Sequence, residues 1–338
     1  MEHKNQVFDN VLHLVEETPL IKLNKITSQF NGEFYVKVEA FNPSNSSKDR
    51  IALYILEQAE KQGHLKPNNT VIVTSFGDSG FNIAKVSLIK SYDCVVVVSS
   101  RFSKSKINLL KTMGARVYVC AAHLSLNHPK SYYNVAKQLQ IEIKDSMLIN
   151  ESLEALNIDL QYKSSGPEIW KQTAGKITHL VMCSWFGEAM INTAMYLKAQ
   201  NPNINILGVD VFSSVINKTK ISKAHEDYTF AKTIGKNVTA LEIIDEFVNV
   251  AAQDSTQTAK CILETEGLYV GHTSGAAMQA VLQLGKAGRF SKTDVVVAIF
   301  PDQSTRYINR VSGDTWREDQ RYLMSMNRET IEKNQYIK

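Results

Sequence analysis

Short runs of apolar, largely β-branched residues alternate with longer amphipathic stretches through almost the whole chain, and this alternation limits the fold more than any other feature. The clearest runs are FYVKV (34–38), VIVTS (71–75), CVVVVSS (94–100), RVYVC (116–120), HLVMCS (179–184), ILGVDVF (206–212) and VVVAIF (295–300). Between them, RIALYILEQAEKQG (50–63) and KSKINLLKTMGA (104–115) place apolar residues three and four apart, as a helix lying on a sheet requires. The GA at 114–115 fits a helix end closed by glycine. Together these features predict an α/β chain of βα units on mainly parallel sheets.

With 338 residues the chain is long enough for two domains, each burying its own core. A net charge of +4 with no strong Lys/Arg block points away from nucleic acid and towards small molecules or proteins as partners. The N-terminal MEHKNQVFDNVLHLVEE mixes acids with apolar residues, unlike a signal peptide, and no apolar run is long enough for a membrane span. Cys94, Cys120, Cys183 and Cys261 are scattered, and three lie in or at the end of strand-like runs. They read as reduced core residues of a cytoplasmic protein, with no metal site implied. Residues 213–243 are polar and weakly periodic, which predicts a loop-rich excursion, and the charged segment 313–338 predicts a helical tail.

One stretch carries candidate chemistry. FNPSNSSKDRIALYI (41–55) sets Lys48 at a turn running into a helix, with Ser46, Ser47 and Asp49 as cap-type oxygens. A lysine held at a helix start and partly desolvated loses proton affinity, which suits Schiff-base chemistry. Taken alone, the stretch favours an exposed lysine after an N-cap.

Five motifs occur in order: ETPLIKLN (17–24), NPSNSSKDR (42–50), GPEIWKQTAGKI (166–177), EGLYVGHTSGAA (266–277) and FPDQSTRYI (300–308). In this series the chain resembles the cysteine synthase and cystathionine β-synthase family of fold-type II pyridoxal-phosphate enzymes, over about 300 residues. INESLEALNIDLQY (149–162) and SGDTW (312–316) resemble the branch that makes a diaminopropionate precursor for siderophores. The resemblance implies a tryptophan synthase β-like architecture of two domains, each a mainly parallel sheet flanked by helices. Residues 1–42 and 158–310 would form the larger domain, 43–157 the smaller one, and 311–338 a charged tail. It also implies a homodimer, and an amino-acid-like substrate bound between the domains.

By the same resemblance, Lys48 matches the lysine that binds the cofactor covalently, and Thr273 falls where a hydroxyl meets the pyridine nitrogen. A neutral hydroxyl leaves the ring a weaker electron sink than a carboxylate would, which favours β-elimination and β-replacement.

Three stretches depart from the family pattern. The phosphate loop, Gly-Thr-Gly-Gly-Thr in relatives, here reads Ser184-Trp185-Phe186-Gly187-Glu188-Ala189, with rings in place of small residues and a carboxylate in the cup. A carboxylate about 4 Å from a unit of phosphate charge costs roughly 4 kcal/mol at an effective dielectric near 20. The substrate loop aligns as Ser75, Phe76, Gly77, Asp78, Ser79 and Gly80, so Asp78 stands where an asparagine would donate to the cofactor ring oxygen. Ser75, Gly77 and Ser79 would hold the substrate carboxylate. Glu151 replaces a glutamine that contacts the same carboxylate.

Two kinds of reading stay open at this point. One is a pyridoxal-phosphate enzyme acting on O-phosphoserine or O-acetylserine. The other is a non-catalytic relative, paired with an active paralogue, or a protein that uses the cleft without the cofactor.

Overall fold

The computed structural model describes residues 7–75, 79–100, 102–125, 127–149, 165–183, 187–211 and 242–303, with the backbone alone at 79 and 187–190. Ten strands and eight α-helices follow one another among these residues. In chain order they are β1 (Leu20–Lys22), β2 (Glu33–Val38), α1 (Lys48–Lys61), β3 (Thr70–Ser75), α2 (Ser79–Ile89) and β4 (Asp93–Ser99). Next come α3 (Lys104–Thr112), β5 (Arg116–Cys120), α4 (Tyr132–Glu142), β6 (Ser146–Ile149), α5 (Ser165–Gln172) and β7 (His179–Cys183). The series closes with α6 (Gly187–Gln200), β8 (Asn205–Val211), β9 (Glu246–Val250), α7 (Ala252–Glu266), α8 (His272–Lys286) and β10 (Val295–Phe300).

The strands form two sheets. One has six strands in the order β1-β2-β10-β7-β8-β9, all parallel except β1, which runs antiparallel to β2. The other has four parallel strands in the order β5-β4-β3-β6. A parallel sheet with helices on its faces needs strands that are apolar throughout, because no face meets water. β10 and the body of β4 meet that condition, with every residue of VVVAIF and of CVVVVS buried.

Each sheet is covered on both sides. Val36, Val181 and Val209 of the larger sheet pack with Ala277 and Val281 of α8. On its other face Leu180, Ile206 and Val297 meet Ala194 and Leu197 of α6. In the smaller sheet Val71, Val73, Val96 and Val98 meet Ile55 and Leu56 of α1 and Val86 of α2. Ile72, Val95 and Val97 face Ala136 and Leu139 of α4.

All seven clear strand runs of the sequence are strands, within a residue at either end. β1, β6 and β9 are additional: they are short or only partly buried, and none shows a long apolar run. α3 closes as expected, at Gly114 with φ of 87°, a left-handed conformation open to glycine at little cost. α1 begins at Lys48 itself rather than at Arg50. Three of the cysteines sit in strands and Cys261 lies on α7; all four are free thiols. Among the described residues no helix is long and apolar enough to cross a membrane. The predicted excursion at 213–243, apart from 242 and 243, and the predicted tail at 313–338 lie outside the described residues.

Because β2, β10, β7, β8 and β9 all run the same way, their carboxyl ends share one edge of the larger sheet, where ligand crevices form in open α/β sheets. β3 likewise ends at Ser75, where the substrate loop of the sequence begins.

Candidate active site

The site is built around the two residues that follow β10. On one side, Ser47 N–H donates to the Pro301 carbonyl at 2.8 Å, and Ser46 forms an isolated antiparallel bridge with Asp302. On the other side, Gly271 N–H donates to the Asp302 carbonyl at 3.1 Å. A Cβ at Gly271 would land on the Asp302 carboxylate, so this approach requires glycine. The start of α1, with Lys48, and the start of α8, with Thr273, are therefore tethered to the same dipeptide.

Lys48 is half-buried, and its backbone N–H reaches Ser46 Oγ at 3.3 Å. Its amine makes no hydrogen bond or ion pair among the described residues. The predicted cap is corrected in its detail, since Ser47 occupies the N-cap but makes no side-chain cap bond. Asp49 does not cap the helix either. Its buried carboxylate accepts from Ser44 N–H at 2.5 Å and from Asn82 Nδ2 at 2.7 Å, joining the Lys48 loop to α2.

Thr273 lies in the first turn of α8, where its Oγ1 is closed off from solvent and has no partner among the described residues. A buried hydroxyl without a partner carries a desolvation cost of about 1–3 kcal/mol, which a bound acceptor would relieve. Ser75, fully buried at the end of β3, accepts at Oγ from Gly80 N–H at 3.0 Å. Part of its hydrogen-bonding capacity thus serves the start of α2. Gly187 opens the 14-residue α6 shortly after β7 ends at Cys183, so a helix N-terminus follows the carboxyl end of that strand. Phe76, Gly77, Asp78, Glu151, Ser184, Trp185 and Phe186 lie outside the described residues, as do the side chains of Ser79 and Glu188.

Beneath α1 lies a charge cluster that the sequence reading missed. Arg50 donates Nε to Glu39 Oε2 at 2.8 Å and Nη1 to Glu168 Oε1 at 2.6 Å. Nη2 of the same guanidinium reaches Glu39 Oε1 at 3.1 Å, Glu168 Oε2 at 3.0 Å and Thr18 Oγ1 at 3.1 Å. Lys37, whose side chain is fully buried, donates to Glu168 Oε2 at 2.5 Å, Thr18 O at 2.5 Å and Gln172 Oε1 at 3.0 Å. Glu39 also accepts from Thr18, Asn42 and Ser165.

Burial opposes the charged forms throughout the cluster. It outweighs the neighbouring carboxylates at Lys37, whose pKa is lowered. At Glu39, Arg50 and Glu168 the opposite charges outweigh it, lowering the two carboxyls and raising the guanidinium. Glu168 is held at about 2 by Arg50 and Lys37. A depressed carboxyl contributes its full stability above the ordinary carboxylate pKa of 4.5 and loses it as pH falls towards about 2. Acidification through that window is expected to lower the thermal midpoint, with a shallower slope for Glu168→Gln. Parallel slopes for the two proteins would rule out this contribution.

A sequence signal for the cluster exists: Lys37 interrupts the strand FYVKV at a position flanked by buried residues. Asp210, near the carboxyl end of β8, is a further buried acid. Its Oδ1 has no partner among the described residues, and burial raises its pKa to about 6. Among the described residues, no group of three or more His, Cys, Asp or Glu gathers that could hold a metal.

A family model described as pyridoxal-phosphate dependent enzyme matches residues 11–302. The chain belongs to this family. Within it, the chain is 30% identical over 324 residues to cystathionine beta-synthase of Apis mellifera, covering 94% of this chain and 64% of that one. It is 31% identical over 326 residues to cystathionine beta-synthase of Saccharomyces cerevisiae, covering 91% and 63%. Cysteine synthase B of Pseudomonas aeruginosa is 27% identical over 303 residues, covering 89% of this chain and 96% of that one. The chain thus spans less than two thirds of the length of these cystathionine beta-synthases and nearly all of cysteine synthase B. A crystal structure of a hydrogen sulfide-producing enzyme from Fusobacterium nucleatum superposes with a TM-score of 0.77 at 26% identity, over 89% of this chain and all of the other.

This is the cysteine synthase and cystathionine β-synthase type of fold-type II architecture, and pyridoxal phosphate is the cofactor of the family. The described residues fit it. Lys48 offers an amine with no competing partner among them, Thr273 a buried hydroxyl that lacks an acceptor, and α6 a helix N-terminus for an anion.

Proposed function

We propose that this family member catalyses β-replacement or β-elimination on an activated serine of the O-phosphoserine or O-acetylserine class. The reaction would take place in a cleft between a smaller domain, 43–157, and a larger one, 1–42 with 158–310, in a homodimer. The observation that carries the reading is the buried hydroxyl of Thr273, which has no partner among the described residues and whose helix is tethered to the same dipeptide as the loop leading to Lys48.

When bound, pyridoxal phosphate supplies an aldehyde that captures amines and a ring that draws electron density from the amino-acid α-carbon. Lys48 would supply the amine that holds the cofactor and the general base for the α-proton of the substrate. It returns that proton when the product is complete. Thr273 would offer its hydroxyl to the ring nitrogen without protonating it, which suits a leaving group that departs at once from the β-carbon. Ser75, Ser79 and the backbone at Gly77 hold the substrate carboxylate. The α6 N-terminus, entered at Gly187, receives the phosphate. Asp78 and Glu151 put acids where relatives place amides, so each favours a partner that donates a proton. The likeness to cystathionine beta-synthase and cysteine synthase B supports the same reaction class.

The test supplies the purified chain with pyridoxal phosphate, O-phosphoserine or O-acetylserine, and sulfide or a thiol, and measures released phosphate or acetate. Cofactor-dependent release supports the reading. A cofactor-loaded protein that releases neither removes it. A chain that takes up no cofactor favours the non-catalytic reading, to which the bulky SWFGEA segment at 184–189 lends support.

A further inference from the structure

We propose that the quartet of Lys37, Glu39, Arg50 and Glu168 positions the Lys48 amine, with Arg50 as the positioning residue. The inference rests on the role assigned to Lys48 above. Lys48 and Arg50 share the first turn of α1 but lie two residues apart, so their side chains leave the helix in different directions. Arg50 therefore grips the helix without occupying the space of the amine.

The grip is directional. One planar guanidinium is held by both oxygens of Glu39 and both oxygens of Glu168, at 2.6 to 3.1 Å. Two forked contacts fix the orientation of a plane, and with it the rotation and height of the helix end, which a single ammonium cannot do. The two carboxylates come from separate elements, Glu39 just beyond β2 and Glu168 from α5. Glu168 Oε1 also accepts from Glu17 N–H at 2.9 Å, and Asn42 ties Glu39 to the loop that runs into Lys48. Three of the five family motifs, at 17–24, 42–50 and 166–177, meet at this cluster.

Stability alone gives a weak account of such a cluster. Three buried charged groups and the half-buried Glu168 pay heavy desolvation, and apolar side chains of similar volume usually stabilise as well or better. What apolar packing lacks is the directional hold. A second hold lies between the two residues, where Asp49 binds Ser44 and Asn82. The first turn of α1 is thus fixed at two successive residues, and the amine just before them is left without a partner among the described residues. Displacement of a reacting group by about 1 Å can cost a hundredfold in rate.

The test uses the full chain as wild type, Arg50→Lys, Glu168→Gln and the control Glu60→Gln, whose carboxylate binds Lys90 and Tyr92 near the other end of α1. In cofactor-free protein, reductive methylation with formaldehyde is followed by peptide mass spectrometry at Lys48 and at the exposed Lys25. The dissociation constant for pyridoxal phosphate is measured alongside.

Arg50→Lys keeps the charge but loses the fork. It is expected to change the Lys48 methylation rate at fixed pH, and the cofactor dissociation constant, by about tenfold or more. Lys25 and the Glu60→Gln protein are expected to be unaffected. A folded Arg50→Lys protein with unchanged Lys48 methylation overturns the proposal, as does an equal change at Lys25, which would mean general loosening. Should Arg50→Lys fail to fold, Glu168→Gln, which keeps one acceptor oxygen, decides by the same criteria. A wild-type chain that binds no cofactor would defeat the functional reading, while the methylation arm would still decide this one.

Discussion

Lys48→Ala is expected to abolish the visible absorption that the purified chain acquires with pyridoxal phosphate, and to lower turnover by about a hundredfold or more. The size of the effect follows from the two tasks of one amine, covalent capture of the cofactor and movement of the α-proton. The fold is expected to survive. Lys48 is half-buried, and its amine has no partner among the described residues, so truncation leaves no buried charge unpaired. Its thermal midpoint is therefore expected to stay close to that of wild type. A Lys48→Ala protein that keeps the colour would assign cofactor capture to another residue.

The second large effect concerns stability. Glu39→Leu is expected to destabilise the chain by about 3–5 kcal/mol, read as a fall in the denaturant midpoint. Glu39 is completely buried, and its carboxylate accepts from Arg50, Thr18, Asn42 and Ser165. Leucine would leave those donors unmet. It would also leave Lys37 and Arg50 to share Glu168 alone, two cations against one anion. Glu39→Gln retains one acceptor oxygen and a similar shape, so its loss should be smaller than that of leucine. Equal midpoints for Glu39→Leu and wild type would mean that the cluster relaxes freely, contrary to this account.

The sheets were legible where strands are covered on both faces, since helices on either side demand apolar residues at every position. β4 and β10 show it most plainly. β1 escaped notice because three residues at an antiparallel edge need no long apolar run, and β9 because EFVNV alternates within a polar region. Lys48 and Thr273 were legible through their motifs, but the device that brings their helices together was not. That device consists of backbone bonds to Pro301 and Asp302 and a bare glycine at 271, residues whose motifs are visible but whose pairing across the chain is not. The ion cluster was hidden for a related reason. Apart from Lys37, which interrupts an apolar strand, Thr18, Glu39, Arg50 and Glu168 each look like solvated surface residues in their own segments, and only the fold makes them neighbours.

The position of β10 bears on how the chain is made. This strand lies between β2 and β7 in the larger sheet, pairing Val295 with Glu33 and Val296 with both Phe34 and His179. On a ribosome, the four-stranded sheet, drawn from strands between Thr70 and Ile149, can close early, while β2 and β7 wait with open edges until Val295–Phe300 emerges. Such late, long-range pairing slows folding and leaves sticky strands exposed in the nascent chain. Premature termination before Val295 would therefore leave a gap in the middle of the sheet rather than a shortened edge, and the product should aggregate instead of persisting as a smaller folded protein.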